Sequence, residues 1–347
     1  LTTGQLVNLM TSEIAALRTD QVVALRSDHL AALTSGNVLA MASAQIVVLE
    51  TADLVALSAA NMLALTTSQA SSIMTGQIFA LTSAQMVGLG TKNIAALGTA
   101  QLKAIQTSNI AALTTDNVRA LSSVQVGALR TDQIAALTTL QTAAWSSVQV
   151  SGLSTSQVVA LVTADVAALS SDNLKALNSA QIRVLDSSQI AALTTYQVAS
   201  LTTANVSAVR DAQLAVMETA DVAVLSSNSL RALSAAQLQA LSTDQILAMG
   251  TGQFASLSTY NVSSLGTTQL AALYTTDVVS FSTAQLQAIT STQITALGTG
   301  QLVALSADQV VGMLRPARTA ELTTGQIAAL TTGQLVNLMT SEIAALR

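Results

Sequence analysis

Aliphatic residues return along this chain at alternating intervals of five and three. Cutting it into eights from Leu1 gives LTTGQLVN, LMTSEIAA, LRTDQVVA, LRSDHLAA and so on. Thirty-nine octads run without a slip to Gly312. A nine-residue unit, Met313–Glu321, follows; three more octads and the stub Leu346–Arg347 complete the 347 residues. Position one is aliphatic or Met apart from Trp145 and Phe281, and position six is nearly always Ile, Val, Leu or Met. Position three is Ser or Thr in 38 of 42 octads, and position five is Gln, Asn, Asp or Glu in 40 of 42. A period this strict defines the architecture before any local reading does.

Because side chains of a strand alternate faces, odd spacings of five and three would send the two apolar rows to opposite sides. On a helix, a spacing of three puts them on one face. A continuous helix is excluded, since eight residues in two turns would need four per turn instead of 3.6. The pattern therefore predicts an all-α solenoid with one short helix of about one and a half turns per octad, broken once per repeat; the alternative is a β-solenoid. Ser or Thr at position three is expected to be the N-cap. Leu, Ile and Ala should fill the interior, with Ser, Thr and Gln outside. Helices this short cannot stand alone, so each must lean on its neighbours.

Charge placement supports a direction. Seven of the 18 acidic residues sit at position four and six at position five. Five of the 13 basic residues sit at position seven and five at position two, which a cap at position three would place at the helix end. Lys92, Glu50, Asp186 and Glu218 run against that expectation.

Residues 1–18 and 330–347 are identical, LTTGQLVNLMTSEIAALR, at an offset of 329. We read this as a 329-residue block recurring in tandem, or as the overlap of one filament repeat with the next. The chain opens on Leu1 without an initiator Met, as expected of a piece of something longer. The organisation expected is a solenoid over 1–312, a Pro-containing joint over 313–321, and a continuation over 322–347. The joint holds the one proline, lacks the usual cap and Gln, and carries Arg315, Pro316, Arg318 and Glu321. Its charges are expected to form a solvated corner, or else an inter-block or inter-subunit contact.

Mean hydropathy is +0.54, yet a polar cluster interrupts every octad, so no stretch is long enough for a spanning helix. No secretory or lipidation motif stands out. A net charge of −5 without a basic stripe argues against nucleic acid, and the lack of cysteine removes disulfides and thiolate ligands. His29 occupies a position-five slot and reads as a polar substitute. Trp145 and Phe281 read as core filling, and Tyr196, Tyr260 and Tyr274 as surface residues. The many hydroxyls have no recurrent His or Lys beside them to activate a nucleophile. The regular Thr rows read as caps, not as an ice-binding array. No enzyme, cofactor or metal site is expected.

Octads such as LTTDNVRA and LTTGQIAA resemble the LTTxQIAAL octapeptide-repeat tracts of giant bacterial surface or secreted proteins described as "heme utilization or adhesion" proteins. That resemblance covers the whole chain. It implies an extracellular or cell-surface setting, self-association into filaments or tandem blocks, and a role in adhesion, with any glycan or cell-surface contact made outside the tract. It also hints at heme, which one His and no Cys do not support. A structural stalk is therefore expected, and a scaffold binding a protein or glycan through variable positions two, four and seven is the alternative.

Overall fold

The computed structural model describes residues 2–314 and 318–346, the side chain of Val7 aside. Among them are 42 short α-helices, one per regular octad, with one 3₁₀ turn and no strands. The all-α solenoid is thus the observed architecture. Typical helices are Thr51–Ala56, Thr75–Ala80 and Thr131–Ala135. Most end where position one turns extended, as at Leu57 (φ −66°, ψ 140°); Leu89 stays helical (φ −54°, ψ −31°).

Helices stack in threes. Ser27–Ala31 packs on Thr51–Ala56, Ala59–Ala64 on Ser83–Gly88, and Thr283–Ala288 on Ala307–Met313. One coil is therefore three octads. Two compact units, 1–177 and 178–347, are each wound this way. Positions one and six line the interior along nearly the whole chain; Leu6, Val22, Ile46, Leu54 and Ile134 are fully buried, while Ile343 is exposed. Position eight is small because it meets position three of the preceding coil. A Cβ on Gly88 would lie 2.8 Å from the Ala59 carbonyl oxygen, and one on Gly152 would lie 2.9 Å from Ser123 Cβ.

Three expectations need correcting. First, the N-cap is position two, not position three. Wherever position two is Ser, Thr, Asn or Asp, its side chain accepts the N–H of position five. The reason is reach: a capping oxygen meets the third helical N–H, and position five is third only if the helix starts at position three. Position five completes a capping box by accepting the N–H of position two, as Gln157 does from Ser154 at 2.8 Å.

Second, Arg18, Arg26, Arg130 and Arg210 at position two stand at helix starts, against the dipole. Arg18, Arg26 and Arg130 are offset there by Asp20, Asp28 and Asp132 on the same first turn. Glu50, Asp186 and Glu218, contrary under the earlier phase, now sit at the favourable end, and Asp186 caps Gln189 N–H at 2.8 Å. These exposed ion pairs contribute little to stability.

Third, Gln is inside. Position five is buried nearly everywhere, with Gln133 fully so. Mutating a cap tests the new phase. Ser154→Ala is expected to cost about 1 kcal/mol, whereas Thr155→Ala, one residue later, should cost clearly less; equal losses in chemical denaturation would restore the earlier phase.

Candidate functional site: the position-five ladder and the joint

A solenoid of helices has no sheet to tie one coil to the next, and every helix end leaves carbonyls without intrahelical partners. The buried amides answer them. Gln133 Nε2 donates to the Leu102 carbonyl at 2.8 Å and the Ile105 carbonyl at 2.7 Å, while its Oε1 accepts Arg130 N–H at 2.8 Å. Both acceptors belong to the preceding coil, 31 and 28 residues back. Gln77, Gln149, Gln245 and Gln285 repeat the same three-way pattern. An amide has both donors and an acceptor, so one side chain closes its own helix start and bridges to the coil before it.

Most departures from Gln follow a register; Glu13, His29 and Glu342 stand outside it. Asn37, Asn93, Asn205 and Asn261 are separated by seven octads or a multiple of seven. The same spacing relates Asn61, Asn117, Asn173 and Ser229, and again Asp53, Asn109, Asp165, Asp221 and Asp277. Seven octads thus form a second period inside the array. Asn is a methylene shorter and reaches only the position-one carbonyl, as Asn61 does at Leu33 (3.0 Å) and Asn173 at Trp145 (2.9 Å). The oxygens of Asn61, Asn109 and Asn173 take a hydroxyl from position three of the preceding coil, as Ser83 donates to Asn109 Oδ1 at 2.7 Å. Those of Asn37, Asn117, Asn205 and Asn261 accept the N–H and hydroxyl of their own cap residue. His29 keeps the box function, its Nδ1 accepting Arg26 N–H at 3.2 Å.

The ladder passes through the joint. Arg315 and Pro316 lie outside the described residues. Arg318 and Glu321 are both partly buried, and they form an ion pair at 3.5 Å. Arg318 donates to the Gln287 carbonyl at 2.9 Å and to the Ile289 carbonyl, and Ser291 Oγ donates to Glu321 at 2.7 Å. Ile289 is 29 residues back from Arg318, and Leu297 is 29 back from Gln326. Counted back from Leu322, Arg318 is therefore the position-five residue of the joint. Its guanidinium stands where Gln stands elsewhere, with five donors in place of two. The added residue lies ahead of it, and the ladder resumes with Gln326 and Gln334.

The sequence marks Arg318 as part of the joint, but its position-five role is hidden when the joint is counted forward from Met313. Counting backward from the next octad would have found it.

Elsewhere the surface is plain. Trp145 and Phe281 are buried, and Phe281 meets Phe254 edge-on at 6.0 Å. Tyr196, Tyr260 and Tyr274 are exposed. A polar groove of about 520 Å³ is lined by Arg183, Ser207, Arg210, Asp211, Ser234 and Gln237. No group of three metal-ligating side chains occurs among the described residues, and no helix there is long and apolar enough to cross a membrane.

A profile of the ALTTAQ repeat matches residues 1–35, 46–83, 79–115, 102–139, 166–203, 214–251, 246–283 and 278–313. The chain belongs to the ALTTAQ repeat family. No curated protein matches it. Among solved structures, the leucine-rich repeat-containing protein LegL7 from Legionella pneumophila is similar at 15% identity over 77% of this chain and 80% of that one, with a TM-score of 0.15. At that TM-score the likeness carries no argument. The octad is thus a unit of capping box plus buried amide, and the joint is a nine-residue unit in which Arg318 replaces the amide.

Proposed function

We propose that this ALTTAQ tract is a non-enzymatic, length-generating part, an extracellular stalk or filament of a bacterial surface or adhesion protein. The position-five ladder carries the reading. Each coil presents the next with the same row of carbonyl acceptors, so coils add without a built-in stop and stability sums over their interfaces. The joint fits the reading as a register device, because it absorbs one residue while Arg318 keeps the ladder connected. The identity of residues 1–18 and 330–347 fits tandem blocks, and the resemblance to surface-protein tracts supplies the cell-surface setting. Cargo recognition belongs, in this reading, to segments other than the octads.

Negative-stain electron microscopy of the purified chain tests it. Elongated particles are expected, and inserting one more three-octad coil should lengthen them by roughly 8–10 Å, the spacing of packed helices. Compact globules, or particles unchanged by the insertion, would overturn the proposal. A second reading, a scaffold that binds a protein or glycan, has the groove at Arg183 and Arg210 in its favour.

A further inference from the structure

Three position-five residues do not fit the ladder as ionised groups. Asp165, Asp221 and Asp277 are at most 4% exposed. They share the seven-octad register with Asn109, which shows what the slot asks for. Asn109 accepts the Ser83 hydroxyl at one end and donates to the Leu81 carbonyl at 2.7 Å from the other. The hydroxyls matching Ser83 are those of Thr139, Thr195 and Thr251; Thr139 acts on Asp165 and Thr195 on Asp221. The carbonyls matching Leu81, at the same separation along the chain, are those of Leu137, Leu193 and Met249. A carboxylate has no hydrogen to give them. Asp165 Oδ2 and both oxygens of Asp221 lack a hydrogen-bond partner of normal geometry.

No cation is at hand to offset the charges. Asp165 lies in Thr163–Ala168 and packs on Thr139–Ala143; neither helix carries another titratable group. Asp221 has Glu218 at its own cap, and the helices packed against it carry exposed Tyr196 (Thr195–Ser200) and exposed Asp244 (Thr243–Leu247). Asp277 has Tyr274 at its cap, and the flanking helices Thr251–Ser256 and Thr299–Ala304 contain no titratable residue. Burial pushes all three carboxyls up from the ordinary aspartate range, and the charge of Glu218 adds to this at Asp221.

We infer that these aspartates form a proton-operated latch: on taking up a proton, each becomes the equivalent of Asn109 and donates its O–H to the position-one carbonyl of the preceding coil. Because the folded carboxyls hold the proton more tightly than the unfolded ones, protonation favours the coil. The stabilisation is complete below the ordinary aspartate range, about pH 4, and is lost as pH rises through the elevated folded values. Exposed Asp28, held down to about 2 by Arg26, stays charged across that window.

Thermal melting of the whole chain and of D165N/D221N/D277N, at about pH 7 and about pH 5, tests the latch. The unaltered chain is expected to melt several degrees higher at the lower pH. The triple variant should melt at that higher value at both, since Asn donates regardless of pH. Equal pH slopes, or a variant less stable than the parent at pH 7, would overturn the inference. A second readout needs no variant: the infrared carbonyl stretch of a protonated, buried carboxyl is expected in the unaltered chain at the lower pH, and its absence there would equally overturn it.

Discussion

Gln133→Leu is expected to destabilise the first unit by about 3–5 kcal/mol, although it swaps a polar residue for an apolar one in a fully buried position. The substitution removes the partner of the Ile105 carbonyl and of the Arg130 N–H, while the Leu102 carbonyl keeps the Ile105 N–H at 3.2 Å and loses only its second donor. Each buried group left unsatisfied costs roughly 1–3 kcal/mol. Gln133→Asn should fall between, because Asn in this slot keeps the position-one carbonyl and loses the other, as Asn61 does. Guanidinium titration gives the energies, and amide hydrogen exchange should show protection falling first in the coils containing residues 102 and 133, since neighbours in a solenoid are coupled one to the next. A loss below about 1 kcal/mol for the Leu variant would mean that water or local rearrangement replaces the ladder, and the ladder would no longer account for how the coils are tied.

Phe254→Ala is the second large effect, about 3–5 kcal/mol. Phe254 fills a position-six slot at 0% exposure and meets Phe281, a position-one residue at 1%, edge to face with an interplanar angle of 89°. Both slots normally hold an aliphatic residue, so the two rings fill one stretch of core together and truncating either opens a cavity beside the other. Phe281→Leu restores the consensus and is expected to cost less. A double-mutant cycle between F254L and F281L should return a coupling of about 0.5–1.5 kcal/mol. Additive losses would show that the two rings act as independent fillers.

The helix in each octad was legible because its causes are local. The spacing of Leu54 and Leu57, three apart, places both on one face, and eight residues cannot close two regular turns. The break after each helix follows from the same arithmetic. The cap was legible too, since Thr66 and Gln69, or Ser154 and Gln157, have the three-residue separation of a capping box. The near-invariance of position three drew the assignment one residue too far along the chain. That row is conspicuous for another reason, shown by Ser27 and Asp53 at 2.9 Å and by Ser83 and Asn109: its hydroxyls serve the following coil. The seven-octad spacing was also present in the sequence, but without the ladder it had no meaning.

What the sequence determined by itself is the octad: one short helix, its direction, its apolar face and its break, all set by interactions within a few residues. What only the tertiary structure decided is how many octads close a coil and where the glutamines go. Octads that are nearly alike offer nothing local to distinguish three per coil from two or four. A Gln on a short helix reads as a surface residue until the carbonyls it answers, more than a full coil away along the chain, are brought beside it. Burying that amide is unfavourable alone and favourable only once the preceding coil supplies both acceptors. For Arg318 and for Asp165, Asp221 and Asp277 the same holds, because their roles are set by a slot that exists only between coils.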